Sequence, residues 1–198
     1  MRKKCLFLGY SIKETNIIKL IKEKGWSVKQ WGNKKPHNIF LKYDLIISYG
    51  YRHIINKSLL NKLKRPAINL HLSYLPHNRG AHPNFWSFIK NTYKGVTLHE
   101  IDDKVDRGKL IYRKKINFRK TINSFEKTYF TLRNSIEKLF AENIDDILDY
   151  TYKTKKFERH GSFHRKSDLP EFMVDWKIGI KKAKKLYKNN YKIKKYPS

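Results

Sequence analysis

The chain has 198 residues, 39% of them hydrophobic, with four Trp and a formal net charge of +28 from 45 Lys and Arg against 17 Asp and Glu. That length and apolar content supply one core and argue against global disorder. The single cysteine, Cys5, excludes an internal disulfide, and no run approaches the ~20 apolar residues that span a bilayer, so the expectation is a soluble, cytoplasmic protein without membrane insertion.

Residues 4–9 (KCLFLG) form a short apolar run. It is followed by Ser11, Lys13 and Glu14, which makes it a first strand rather than a signal sequence. Residues 12–24 carry Ile17, Ile18, Leu20 and Ile21 at helical spacing, with Gly25 as a stop. A second strand is expected over 27–31, a turn over 33–37 and a third, β-branched strand over 44–49, ending at Gly50. A short helix over 56–63 precedes a fourth strand over 67–72, and a helix over 83–91 opens after a proline. Strands over 95–100 and 109–116 then lead to a long amphipathic helix over 124–149. Its apolar stripe is Phe125, Tyr129, Leu132, Ile136, Leu139 and Phe140.

Strands alternating with helices predict an α/β domain over 1–150, a mostly parallel sheet with helices on both faces. Residues 151–198 lose that rhythm and read as a short basic C-terminal extension, with nine lysines and no acid between 177 and 195. Such a field draws polyanions, including RNA, a nucleotide diphosphate or a polyglutamylated cofactor. No zinc-binding pair, RNP aromatic signature or helix-turn-helix signal accompanies it, which argues against nucleic acid and for compositional bias plus a small anionic ligand.

The chemistry concentrates at strand ends, where open parallel sheets bind ligands. A dinucleotide fingerprint would need several glycines after the first strand, and only Gly9 is there; a phosphate loop of the GxxxxGK type is also missing. The fourth strand instead carries Asn69 and His71, two residues apart and therefore on one face. Asp106 and Gly108 follow in the loop after the 95–100 strand. An Asn, a His and an Asp brought together at one sheet edge suit acyl transfer. The amide donates to a carbonyl oxygen, an imidazolium stabilises developing negative charge, and the carboxylate keeps the His charged and handles protons. None of the three is a good nucleophile, so the attacking group belongs to the substrate. The eight histidines show no metal spacing, and no metal is expected. His99 reads as structural, because it precedes the loop and points from a strand.

The run Asn69-x-His71-x-Ser73-x-Leu75-Pro76-x-x-Arg79-Gly80-x-x-Pro83, followed downstream by His99 to Gly108 with Asp106-x-Gly108, resembles the folate-dependent formyltransferases. These enzymes move a formyl group from 10-formyltetrahydrofolate to primary amines. The resemblance covers about residues 3–116 and implies a Rossmann-like formyltransferase domain with Asn69, His71 and Asp106 as the catalytic trio. It places the folate co-substrate near Gly50, Tyr51, Arg52, His53, Ile54 and Ile55, and near Asp102 and Asp103.

Within the family, residues 74–80 and the Asn84-Phe85-Trp86 segment are most similar to sugar N-formyltransferases, which act on nucleotide-linked amino sugars. That likeness assigns acceptor contact to Ser73, Tyr74, Leu75, Pro76, Arg79, Gly80, Asn84 and Trp86. It also draws attention to residues 161–166 (GSFHRK), whose Arg165 and Lys166 suit a phosphate. Formylation of glycinamide ribonucleotide or another small amine, hydrolysis of the formyl-folate, and a non-catalytic basic RNA-binding protein stay open as alternatives, as does a homodimer.

Overall fold

The computed structural model describes residues 2–119, 121–157 and 161–195, with side chains to residue 190. Its chain-order elements are β1 (Lys4–Gly9), α1 (Ile17–Glu23), β2 (Ser27–Gly32), β3 (Leu45–Tyr49), α2 (Lys57–Leu60), β4 (Ile68–His71), β5 (Arg79–Gly80) and α3 (Pro83–Ile89). They continue with β6 (Gly95–Glu100), β7 (Leu110–Lys115), α4 (Phe125–Glu142), α5 (Ile144–Asp149), β8 (Phe163–His164) and α6 (Ile180–Lys195). Six strands form one sheet in the order β2-β1-β3-β4-β6-β7, with β1 to β4 parallel and β6 and β7 antiparallel. This is the expected α/β architecture, with the last two strands returning as a hairpin-like edge.

Period-two alternation divides the core between two faces. Cys5, Phe7, Leu45, Ile47, Ile68, Leu70, Val96 and Leu98 face α1, α4 and α5. Leu6, Leu8 and Ile46 face the other way, toward Phe40, Ile55 and Leu59. On β4 the apolar residues therefore point under the long helix, and Asn69 and His71 point to the side carrying α2, a 3-10 helix over Asn38–Lys42 and loops.

Local hydrogen bonding moves several expected boundaries. The helix expected over 12–24 begins only at Ile17, because Glu14 Oε2 accepts from both the backbone N–H (2.8 Å) and the hydroxyl (2.7 Å) of Ser11 and closes a turn first. The 56–63 helix shrinks to one turn, capped by Asn56 Oδ1 accepting from the Leu59 N–H at 2.8 Å. The long 124–149 helix is two helices, because Asn143 leaves helical geometry and its Nδ2 donates to the Leu139 carbonyl at 2.8 Å. Thr128 lies in the buried stripe of α4, whereas Tyr129, expected there, is 37% exposed.

The residues after 150 close over the domain. β8 pairs in parallel with β5, and Met173 and Ala183 bury themselves with Phe85, Trp86, Phe88 and Phe125 in a third apolar cluster. The backbone N–H of Glu126 donates to Trp176 O and that of Ile180 to Asn123 O, both at 2.8 Å. The end of the lysine-rich stretch, beyond residue 190, lies outside the described side chains. Among the described residues no helix is long and apolar enough to cross a membrane.

Candidate active site

Strand register assembles the site. Ser48 of β3 lies opposite Asn69 of β4, which lies opposite His99 of β6. His71 lies opposite Thr97 one step along. Opposed residues on adjacent strands share a face, so Ser48, Asn69 and His99 make a polar row across three strands. The β6–β7 loop then folds back over this row and delivers Asp106, held at φ 51°.

Asp106 is the hub. Its Oδ2 accepts the Gly80 backbone N–H at 2.8 Å and lies 3.5 Å from His71 Nδ1. Its Oδ1 accepts from Asn69 Nδ2 at 3.2 Å and lies 3.4 Å from His99 Nε2. Burial pushes the Asp106 pKa up, but the charge that His71 and His99 carry when protonated, the His99 hydrogen bond formed in that state and the Gly80 N–H outweigh it, so the carboxyl is held well below the usual carboxylate range. Asp106 is a carboxylate at neutral pH.

Proton positions follow from the acceptors. His71 Nε2 is 3.2 Å from the Asn78 carbonyl oxygen and His99 Nδ1 is 2.7 Å from that of Glu100. A carbonyl oxygen only accepts, so each of these nitrogens carries a hydrogen. In the neutral ring His71 Nδ1 is then a lone pair facing Asp106. Burial lowers the pKa of His71, and Asp106 only partly offsets it, with His99 acting in the same sense as burial. The imidazolium expected from the sequence is therefore disfavoured by burial and favoured by the adjacent carboxylate at Nδ1, with burial the larger influence.

Asn69 is fixed on both sides. Its Oδ1 accepts from Ser48 Oγ at 2.9 Å, and its Nδ2 reaches His99 Nε2 at 3.1 Å as well as Asp106. His99, read from the sequence as structural, is 1% exposed and touches both Asn69 and Asp106. The signal available for Ser48 was its polar position in an otherwise apolar strand, whereas His99 shares β6 with Thr97 and Glu100, and both become meaningful only once the register is known.

The other expected site residues divide. Gly80 (φ 83°) donates to Asp106, and any side chain there would strike the His164 carbonyl. Pro76 and Arg79 border a cavity of about 470 Å³ beside Asp106, together with Arg107, Lys109, Lys156 and Gly161. Asp102 also borders it, with Oδ1 accepting the Lys104 N–H at 2.9 Å.

Five residues assigned to acceptor contact do other work. Ser73 Oγ donates to the His77 carbonyl at 2.8 Å, and the Leu75 N–H donates to Thr97 Oγ1 at 3.1 Å. Tyr74 packs against Tyr93 and the Arg113 guanidinium. Asn84 Nδ2 donates to Phe125 O (3.1 Å) and Thr128 Oγ1 (3.0 Å), tying α3 to α4. Trp86, 3% exposed, stacks on His164 at 4.2 Å. Asn84 Oδ1 and Trp86 Nε1, by contrast, are buried with no hydrogen-bond partner among the described residues.

Residues 50–55 lie beside the 101–106 loop. Ile55 is buried in the apolar cluster against which Tyr51 and Ile101 pack, and Lys57 pairs with Asp103 at 3.7 Å. Tyr51 Oη donates to Lys34 O at 2.6 Å, the Arg52 N–H donates to Asn33 Oδ1 at 3.1 Å, and His53 Nε2 donates to Asn33 O at 2.7 Å. Gly50 sits under the Tyr10 ring with φ 72°. Ile54 is 70% exposed and Val105 is 38% exposed, leaving apolar side chains on both loops without cover.

An amide–imidazole–carboxylate cluster at the edge of such a mostly parallel sheet has the groups that suit an acyl-transfer enzyme. The formyl transferase model matches residues 2–143, and the chain belongs to that family. The formyltransferase PseJ from Anoxybacillus kamchatkensis, solved in complex with UDP-4,6-dideoxy-4-formamido-L-AltNAc and tetrahydrofolate, is 34% identical. It superposes with a TM-score of 0.83 over 90% of this chain and 96% of its own. A dTDP-4-amino-4,6-dideoxyglucose formyltransferase of Mycobacterium bovis is 29% identical over 130 residues, 66% of this chain and 54% of that protein. A methionyl-tRNA formyltransferase of Listeria welshimeri is 34% identical over 111 residues, 56% of this chain and 34% of that protein. The chain thus spans about half the length, or less, of these two curated relatives.

Proposed function

We propose that this chain transfers a formyl group from 10-formyltetrahydrofolate to the primary amine of a nucleotide-linked amino sugar. The observation that carries this reading is a buried carboxylate, an imidazole and a fixed amide meeting at one sheet edge, where the Ser48 hydroxyl is tied to Asn69 Oδ1 at 2.9 Å. Cys5 is buried in the opposite face of the sheet, and the Ser73 hydroxyl is engaged with His77. The likeness to PseJ over nearly its full length supports the acceptor class.

The residues fit a folate. Ile54 and Val105 offer exposed apolar surface on the two adjoining loops, suited to an aromatic ring system. Bound there, it would supply the formyl carbon. Asn69 Nδ2 is the donor for the formyl oxygen, giving up its long 3.2 Å contact with Asp106 as charge develops. His71 takes a proton from the attacking amine at Nδ1. The resulting imidazolium then donates toward Asp106, and the same proton is available to the departing nitrogen. Asp106 stays ionised throughout and, through Gly80, holds the loop that carries Arg79.

The test is incubation with 10-formyltetrahydrofolate and a panel of UDP-, dTDP- and GDP-linked amino sugars, glycinamide ribonucleotide and methionyl-tRNA. Stoichiometric formylated amino sugar is expected. Free formate alone, or product only from the other two acceptors, would refute the reading.

A further inference from the structure

The cavity beside Asp106 has a lining that the transfer chemistry does not use. Four cations, Arg79, Arg107, Lys109 and Lys156, border it. Among the described residues none of them has an ion-pair partner other than the weak field of Asp106 on Arg79. The acids that share the lining are already engaged: Glu100 Oε1 accepts from the Tyr152 hydroxyl at 3.3 Å, Asp102 caps its own loop, and Asp106 serves the two histidines. Arg79 is the decisive residue. It is 8% exposed, its Nη2 donates to the Gly161 carbonyl at 3.2 Å, and its Nε is buried with no hydrogen-bond partner. A buried guanidinium N–H without an acceptor costs free energy that an incoming anion would recover. Burial, and then the like charge of Arg107, hold the Arg79 pKa below its ordinary value.

The walls are built rather than incidental. Arg79 is clamped by β8: its N–H donates to Ser162 O, and the Ala81 N–H donates to His164 O, both at 2.9 Å. Gly161 presses so closely on Pro76 that a side chain there would strike the Pro76 carbonyl. The next residue after Arg79, Gly80, holds Asp106 at 2.8 Å. An anion at the Arg79 Nε is therefore one residue away from the group that orients His71.

We infer that this cavity is the diphosphate subsite for the nucleotide-linked acceptor, with Arg79 as its buried anchor and Arg107, Lys109 and Lys156 as its rim. The inference rests on the acceptor class proposed above and adds which residues recognise it. A guanidinium fork and lysine ammoniums match a diphosphate's several charged oxygens. A diphosphate in this cavity would set the sugar's amine toward the cluster at its edge. The glutamate carboxylates of a folate are the other source of anionic charge, and the experiment separates the two.

Binding of UDP, dTDP, uridine and tetrahydrofolate pentaglutamate is measured by calorimetry on the full chain and on Arg107→Ala, Lys156→Ala and Arg107→Lys. Loss of one charge-assisted contact is expected to weaken UDP and dTDP about tenfold. Arg107→Lys should recover part of that loss, added salt should narrow the difference, and the folate should bind as before. Wild-type binding of UDP no tighter than uridine, or variants that weaken the pentaglutamate and leave UDP unchanged, would overturn the inference. Formylation is scored separately. Tight UDP binding with no formylated amino sugar would sink the proposed function and leave the subsite, and formylation without diphosphate-dependent binding would do the reverse.

Discussion

The two halves of the run from Asn69 to Trp86 look alike as sequence, each setting polar residues among apolar ones, yet they do opposite jobs. In the first half, Asn69 and His71 converge with the later Gly80 on Asp106, with hydrogen bonds of 3.2 and 2.8 Å from Asn69 and Gly80 and His71 at 3.5 Å. In the second half, Asn84 and Trp86 turn inward, one bonded to α4 and the other stacked on His164. The difference is one of cover. Asn69 and His71 emerge on the face roofed by loops, whereas α3 lies between α4 and α6 and every side chain from Asn84 to Phe88 is buried. A motif's order along the chain therefore does not say which of its members meet a ligand.

That contrast can be broken by separating stability from turnover. The largest effect is expected at Trp86→Ala, which removes a buried indole and should cost ~3–5 kcal/mol of unfolding free energy in urea. Its kcat/KM in the cold, where the fold holds, should stay within a few-fold of wild type. A large rise in acceptor KM without a stability loss would return Trp86 to the site.

Asn69→Ala and His71→Ala should show the reverse. Each is expected to lose ~100- to 1,000-fold in turnover, about 2.7–4 kcal/mol of transition-state stabilisation, while the urea midpoint moves little. Near-normal formylation by either purified variant would remove that residue from the mechanism.

The smallest effect is in pH. The folded pKa of His71 lies below its unfolded value of ~6.5, so its stabilising contribution is complete above that pH and fades as pH falls through the folded value. Stability and kcat/KM should both decline on the acid side of neutrality. The decline in stability should be shallower in His71→Asn, and an identical slope in the variant would assign the titration elsewhere. Asp106 acts in the same sense but at lower pH, since its folded pKa is also depressed.

Much of the domain was legible because alternation is local. Cys5 and Phe7 against Leu6 and Leu8 announce a strand buried on both faces, and Asn69 and His71 stand out because Ile68 and Leu70 flank them. The trio of Asn69, His71 and Asp106 could be nominated on residue type and spacing. His99 and Ser48 could not, because their meaning depends on which strands are neighbours. The Ser48–Asn69–His99 row joins residues 21 and 30 positions apart. Helix ends failed where a side chain competed for backbone groups, as Glu14 does for Ser11 and Asn143 for Leu139.

The order of elements, the two-faced sheet and the nomination of Asn69, His71 and Asp106 thus belong to the chain's one-dimensional pattern, because strand periodicity and residue chemistry are properties of short segments. Three things came only from packing: the lowering of the His71 pKa by burial, the commitment of Asn84 and Trp86 to the core, and the gathering of Arg79, Arg107, Lys109 and Lys156 around one cavity. Burial and electrostatic environment depend on what the rest of the chain places nearby. Here the deciding segment is residues 161–164, more than 80 positions from the loop it clamps, since Ser162 and Asn78 are 84 apart.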